Sequence, residues 1–194
     1  MPEWFLAADG GVLLWIQENL RCALLDPLLT AYTHLGDMGL LWIVLSLVML
    51  CFRPTRKAGC LSLCAMMLGL LCTNVALKHL VGRVRPWLTV EGLVPLIAEN
   101  DPNSFPSGHS CAAFAAAGVW LRALPRRWMG AAGVVLAAVM ALSRLYVGVH
   151  FPSDVLAGTC VGLLCSQAVW LAWERLDGAR RERQSSGEGR APRP

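Results

Sequence analysis

Hydrophobic positions in this chain fall in long unbroken blocks instead of alternating with polar ones. Twenty consecutive positions from Ala58 to Leu77 carry no charge, and nineteen do so from Val155 to Trp173. A helix of about 20 apolar residues is long enough to cross a bilayer, so both blocks predict spanning helices. Residues 128–143, extended by Leu145 to Val149, predict a third span. Residues 107–124 predict a fourth, whose Ala112, Ala113, Ala115, Ala116, Ala117 and Gly118 permit close helix approach. A fifth runs from about Pro27 to Phe52, interrupted in its outer third by His34, Gly36 and Asp37. The first 26 residues mix Phe5, Leu6, Val12, Leu13, Trp15, Ile16 and Leu20 with Glu3, Asp9, Glu18, Arg21 and Asp26. That pattern fits a helix lying in the membrane interface, with a sixth span as the alternative. The expected fold is therefore all-α, a polytopic transmembrane helix bundle of five spans plus an N-terminal interfacial helix. Residues 1–26 form the interfacial segment and 27–176 the bundle, while the polar run 177–194 reads as a disordered tail.

Composition agrees with the pattern. Of 194 residues, 56% are hydrophobic and only 15% charged, against about 25% charged in soluble domains. The formal net charge of +4 comes largely from arginine clusters beside the apolar blocks. Counting spans in chain order, Arg53, Arg56 and Lys57 follow the first, Arg122, Arg126 and Arg127 separate the third and fourth, and Arg175, Arg180, Arg181 and Arg183 follow the fifth. Span counting puts these three groups on one face, which the positive-inside rule makes cytoplasmic. No basic patch alternates with stacking aromatics, so no nucleic-acid partner is expected. Seven of the eight cysteines lie in or beside apolar runs with no CxxC pair, which reads as packing and not as redox or metal chemistry. No cleavable leader is expected, because acidic residues interrupt the first apolar stretch.

The opposite, extracytoplasmic face receives residues 78–107 and 144–153, and these hold the chemistry. The first carries Lys78, Arg85-Pro86 and Pro106-Ser107-Gly108-His109; the second carries Ser143-Arg144, His150 and Asp154. Lys78, Arg85 and Arg144 together call for an anion with several oxygens, and the guanidinium fork suits phosphate. Ser107 and Gly108 open an apolar helix, whose first N–H groups and positive dipole end favour an anion. Of the two histidines, one can attack phosphorus while the other protonates the departing oxygen. Asp154 can orient His150. The outer connections offer few carboxylates beyond Asp154, so no metal cage and no cofactor are expected.

These segments resemble the signature of the type 2 phosphatidic acid phosphatase (PAP2) superfamily. The first motif, Lys then six residues then Arg-Pro, is Lys78 to Pro86. The second, Pro-Ser-Gly-His, is Pro106 to His109, and the third runs from Ser143-Arg144 through His150 to Asp154. The resemblance covers about residues 58–176 and leaves the N-terminal 57 without a motif. It implies that Lys78, Arg85, Ser107, Gly108 and Arg144 bind phosphate. It also implies His150 as nucleophile, His109 as acid and Asp154 as the partner of His150, and it decides which histidine attacks. The expected activity is metal-independent removal of phosphate from a lipid through a phosphohistidine. Undecaprenyl diphosphate is the first expectation for the substrate. Phosphatidylglycerol phosphate, phosphatidic acid, lipid A phosphates and phosphoryl transfer to a second lipid are the alternatives. The same superfamily includes soluble haloperoxidases that use vanadate, which the apolar spans disfavour, and intact histidines disfavour a non-enzymatic lipid-binding role.

Overall fold

In a computed structural model, residues 3–188 are described and are mostly helical. α1 (Glu3–Asn19) is followed by α2 (Leu25–Leu35) and α3 (Leu40–Leu50), then by α4 (Arg56–Leu70). α4 continues through a wider, π-helical stretch, Leu71–Leu77, into α5 (Lys78–Val81). After a long connection come α6 (Gly108–Ala123), α7 (Arg127–Tyr146) and α8 (Pro152–Glu188). Among the described residues the only β pairing is an isolated bridge between Val84 and Asn103.

Three stretches are long and apolar enough to cross a membrane: Arg56–Val81, Arg127–Tyr146 and Pro152–Glu182. α2 and the segment Asp37–Leu50 make a fourth if counted as one span bent by 50°. The bend lies at the interruption marked by Gly36 and Asp37, where Met38 and Gly39 take positive φ. The remaining expected span, α6, has only 16 residues, and it sits at the centre. It packs against α4, α7 and α8, with Ala113, Ala115, Ala116, Ala117 and Val119 fully buried. Its surroundings are protein on most sides, so it needs small residues more than an apolar exterior. The outer faces of the enclosing helices instead expose large apolar side chains, including Leu71, Val75, Val135, Leu142, Leu156 and Leu164. Such a continuous apolar exterior is the surface expected against lipid.

Close helix contact fixes the site end of the bundle. A side chain at Gly158 would strike the Ser107 backbone, and one at Gly162 would strike that of Cys111. These two α8 glycines press the start of α8 onto the start of α6. Below, Trp42 and Trp120 meet at 5.6 Å in a buried cluster. At the far end Lys57 lies over Trp170 and Trp173, at 4.5 and 5.1 Å from the ring centroids.

Two expectations differ from the structure. The run 177–188, expected to be disordered, continues α8 as helix. Ala179, Arg180 and Glu182 are good helix formers, and Arg181 meets Asp177 one turn back at 2.8 Å. Residues 189–194 of that tail lie outside the described residues. The N-terminal segment is more than a surface helix: Leu13 and Ile16 of α1 are buried against Leu145, Tyr146, Val147, Val149 and Phe151. Arg21 then ties α1 to the outer connections, donating to the carbonyls of Tyr146 and Val94 at 3.1 and 2.6 Å.

Candidate active site

Four local structures bring the charged residues to one end of the bundle. Lys78 emerges where the π-helical stretch gives way to α5. Gly82 ends α5 with φ +57°, and the extended segment beyond it carries Arg83 and Arg85. Ser107 caps α6, placing Gly108 and His109 in its first turn. At the end of α7 the chain turns through Gly148, whose φ of +79° suits glycine. A side chain there would also collide with Arg21. That turn returns His150 toward Arg144, with the N–H of Val149 donating to the Arg144 carbonyl at 3.2 Å.

Lys78, Arg85, Gly108, His109, Arg144 and His150 line one cavity of about 290 Å³. Glu99 and Asp101 line it beside these cations, and Ile43, Leu63, Met66, Met67 and Leu70 supply apolar wall, so one end is charged and the other apolar. Arg144 and Asp154 are fully buried, and Arg85 and His150 are only 2% exposed. Buried charges persist only when paired, and each here has named partners.

Arg85 donates through Nη1 to the Val149 carbonyl at 2.9 Å and to Nε2 of His150 at 3.0 Å. A guanidinium has no acceptor, so Nε2 of His150 must be the unprotonated nitrogen, and the ring proton sits on Nδ1. Nδ1 faces Oδ2 of Asp154 at 3.6 Å. Asp154 in turn accepts the Phe151 N–H at 2.9 Å and Nη1 of Arg83 at 2.8 Å. Burial first, then the positive charges of Arg85 and Arg144, holds the His150 imidazole well below its usual range. His150 is therefore neutral at pH 7, with its lone pair toward the cations.

The second histidine is held differently. Nε2 of His109 lies 3.1 Å from Oδ1 of Asp37, at the bend between α2 and α3. The other oxygen of Asp37 lies 2.9 Å from Nδ1 of His34. Thr33 of α2 accepts from Arg144 Nη1 at 2.8 Å.

Two residues of the expected site, Ser107 and Asp154, are not among those that line the cavity. The Ser107 hydroxyl accepts from the N–H and hydroxyl of Ser110, at 3.4 and 3.0 Å, and so serves as the α6 cap. Its own N–H donates to the Asp154 carbonyl at 3.0 Å. Asp154 stands behind His150. The expectation of few outer carboxylates also needs correcting, because the loop between Leu88 and Asn103 supplies two. Glu99 accepts from Arg144 and lies 3.7 Å from Arg85, while Asp101 accepts from Lys78. Burial alone would raise Asp101, but hydrogen bonds from Lys78 and from the Asn103 N–H outweigh it and hold the carboxyl below its usual range. Among the described residues no three His, Cys, Asp or Glu side chains gather as a metal site.

Thr33, Asp37, Arg83, Glu99 and Asp101, with Asp9 that accepts from Arg83 at 2.7 Å, are the site neighbours outside the motif residues. Asp9 and Asp37 carried a usable signal, since each is an acid inside an apolar run and such residues are functional candidates by default.

Residues 59–177 match the PAP2 superfamily, and the cationic cavity lies within that stretch except for its α2–α3 wall. The chain belongs to the PAP2 superfamily. Among relatives, this PAP2 protein is 33% identical over 157 residues to phosphatidylglycerophosphatase B of Bacillus subtilis, covering 75% of this chain and 73% of that protein. It is 32% identical over 121 residues to an undecaprenyl-diphosphatase of Sulfolobus acidocaldarius, covering 62% of this chain but only 58% of that one. The crystal structure of a transmembrane PAP2-type phosphatidylglycerolphosphate phosphatase from Bacillus subtilis superposes with a TM-score of 0.73 at 31% identity. That match covers 90% of this chain and 88% of the other. This PAP2 protein is accordingly an all-helical membrane protein.

Proposed function

We propose that this protein is a metal-independent lipid phosphatase that cleaves undecaprenyl diphosphate to undecaprenyl phosphate and phosphate. The observation that carries the reading is the two-ended cavity. Arg85, Arg144, Lys78 and two histidines stand at one end, and Ile43, Leu63, Met66, Met67 and Leu70 at the other. A phosphate joined to a long apolar chain matches both ends. A soluble phosphate ester would leave the apolar end without use.

The reaction proceeds in two displacements. Nε2 of His150 attacks phosphorus as the bond from phosphorus to the lipid-side oxygen breaks. Arg85, Arg144, Lys78 and the first N–H groups of α6 hold the phosphoryl oxygens. Asp154 steadies the imidazole as it gains charge. His109, with its ring held by Asp37, gives a proton to the leaving oxygen. Water then attacks the phosphohistidine, His109 takes its proton, and phosphate leaves with the His150 lone pair restored. The ten arginines and lysines clustered beside the span ends support a site facing the extracytoplasmic side, with the C-terminus in the cytoplasm.

Phosphatidylglycerol phosphate is the second reading, favoured by the longer match to the Bacillus subtilis phosphatase and by its crystal structure. A phosphate-release panel on the purified full chain separates the two, comparing C55 diphosphate, phosphatidylglycerol phosphate and phosphatidic acid. The expected result is the highest kcat/KM on C55 diphosphate. Preference for phosphatidylglycerol phosphate overturns the first substrate, and product analysis with an added lipid acceptor distinguishes hydrolysis from phosphoryl transfer.

A further inference from the structure

Behind His150, on the side away from the cavity, lies a second buried set of charges. Asp9 of α1 is 7% exposed and Arg83 9%. Oδ2 of Asp9 accepts from Nη2 of Arg83 at 2.7 Å. Asp9 also accepts the Ser153 N–H at 3.1 Å and the Ser153 hydroxyl. The other arm of Arg83, Nη1, donates to Oδ1 of Asp154 at 2.8 Å and to the Ser153 hydroxyl at 2.6 Å. The guanidinium lies over the Phe151 ring at 3.8 Å. One fork therefore joins a carboxylate of the N-terminal helix to the carboxylate that faces His150.

The charge count gives this arrangement a purpose. Arg83 and Asp154 alone would be a neutral pair, with no net charge behind the imidazole. Asp9 restores one negative charge to the set. Charges this deeply buried interact strongly, because little solvent screens them. The set then stabilises the positive charge His150 acquires as it attacks phosphorus.

We propose that Asp9 is a positioning residue for the reaction, holding Asp154 through Arg83 and Ser153 and keeping negative charge behind His150. Asp9 lies outside residues 59–177, so the N-terminal helix becomes a working part of the catalytic unit. The proposal rests on the reading of His150 as nucleophile.

The groups facing His150 set what a titration reports: Arg85 from the segment after α5, Lys78 from α5, His109 from α6, Arg144 from α7 and Asp154 from α8. Against that fixed background, changes at Asp9 and Arg83 move the His150 titration in opposite directions. A negative charge nearby favours imidazolium and a positive one disfavours it. The test measures kcat, KM and the pH dependence of kcat/KM for the full chain in detergent. C55 diphosphate is the substrate, or phosphatidylglycerol phosphate if the wild type cleaves only that. Asp9→Asn is expected to lower kcat by about 10- to 100-fold, as for partners one step removed from a reacting group. KM should stay within about twofold, since Asp9 makes no contact in the cavity. The acid limb should move to lower pH in Asp9→Asn, to higher pH in Arg83→Gln, and return to the wild-type position in the double variant. Leu13→Ala, which loosens only the packing of α1, should leave the limb in place.

Unmoved acid limbs, a loss carried by KM, or the same behaviour from Leu13→Ala would overturn the role of Asp9. If Asp9→Asn does not accumulate, the double variant is compared with Arg83→Gln alone, and an acid limb no lower than that of Arg83→Gln overturns the role of Asp9. His150→Ala is assayed in parallel: retained turnover there overturns the nucleophile reading itself, whereas lost turnover with unmoved limbs overturns only the role of Asp9.

Discussion

The fully buried guanidinium of Arg144 donates to the carboxylate of Glu99, which reaches it from the outer connection. The same carboxylate lies 3.7 Å from Arg85. Glu99 thus occupies the two cations that the proposed reaction needs for phosphoryl oxygens, so carboxylate and phosphate compete for them. Substrate must displace Glu99, and Glu99 in turn helps expel product. Glu99→Gln keeps the shape and removes the charge. A hydrogen bond to a charged group contributes about 1.5–3 kcal/mol, so inhibition by orthovanadate or phosphate should tighten by about 10- to 100-fold. Inhibition constants measured on the variant check this; unchanged or weaker inhibition contradicts it.

The state of His150 fixes the sign of a pH dependence. Burial, Arg85 and Arg144 lower its titration, so the attacking lone pair is available at neutral pH and is lost only on acidification. The acid limb of kcat/KM should therefore fall below the ordinary histidine range near pH 6.5. Arg85→Gln removes a neighbouring positive charge and should move that limb to higher pH, apart from its cost in KM. A limb that stays fixed in Arg85→Gln would assign it to another group.

Leaving-group chemistry separates the roles of the two histidines. An alkoxide departing from a monoester needs a proton far more than a phosphate departing from a diphosphate. General acid catalysis is worth about 10²–10⁴-fold. His109→Ala should approach that loss on phosphatidic acid and lose far less on C55 diphosphate. Equal losses on both count against His109 as the acid.

Metal dependence is the simplest check of the proposed chemistry. EDTA should leave phosphate release unchanged. Inhibition by chelation that added metal reverses would contradict a reaction carried by histidines and cations alone.

Most of the cavity was legible in the sequence because ionisable residues among apolar runs stand out. Lys78, Arg85, His109, Arg144 and His150 all line it, and returning to one face after two spans is enough to bring them together. What the sequence concealed were the partners. Thr33 meets Arg144 across 111 positions and Asp9 meets Arg83 across 74, and no periodicity encodes such pairings. Ser107 accepts from Ser110 as the α6 cap, a use of the hydroxyl at a helix start that the motif alone does not reveal. The helical run to Glu188 was hidden by polar composition, although its helix formers and the Arg181–Asp177 pair were present.

The central claim is that phosphorus is transferred to Nε2 of His150. The most direct measurement mixes the full chain with ³²P-labelled lipid substrate, quenches rapidly in alkali, and maps the label by mass spectrometry. An acid-labile, alkali-stable phosphoryl group on His150, absent from His150→Ala along with turnover, is the predicted result. Label on another residue, or phosphate release that persists in His150→Ala, would contradict it.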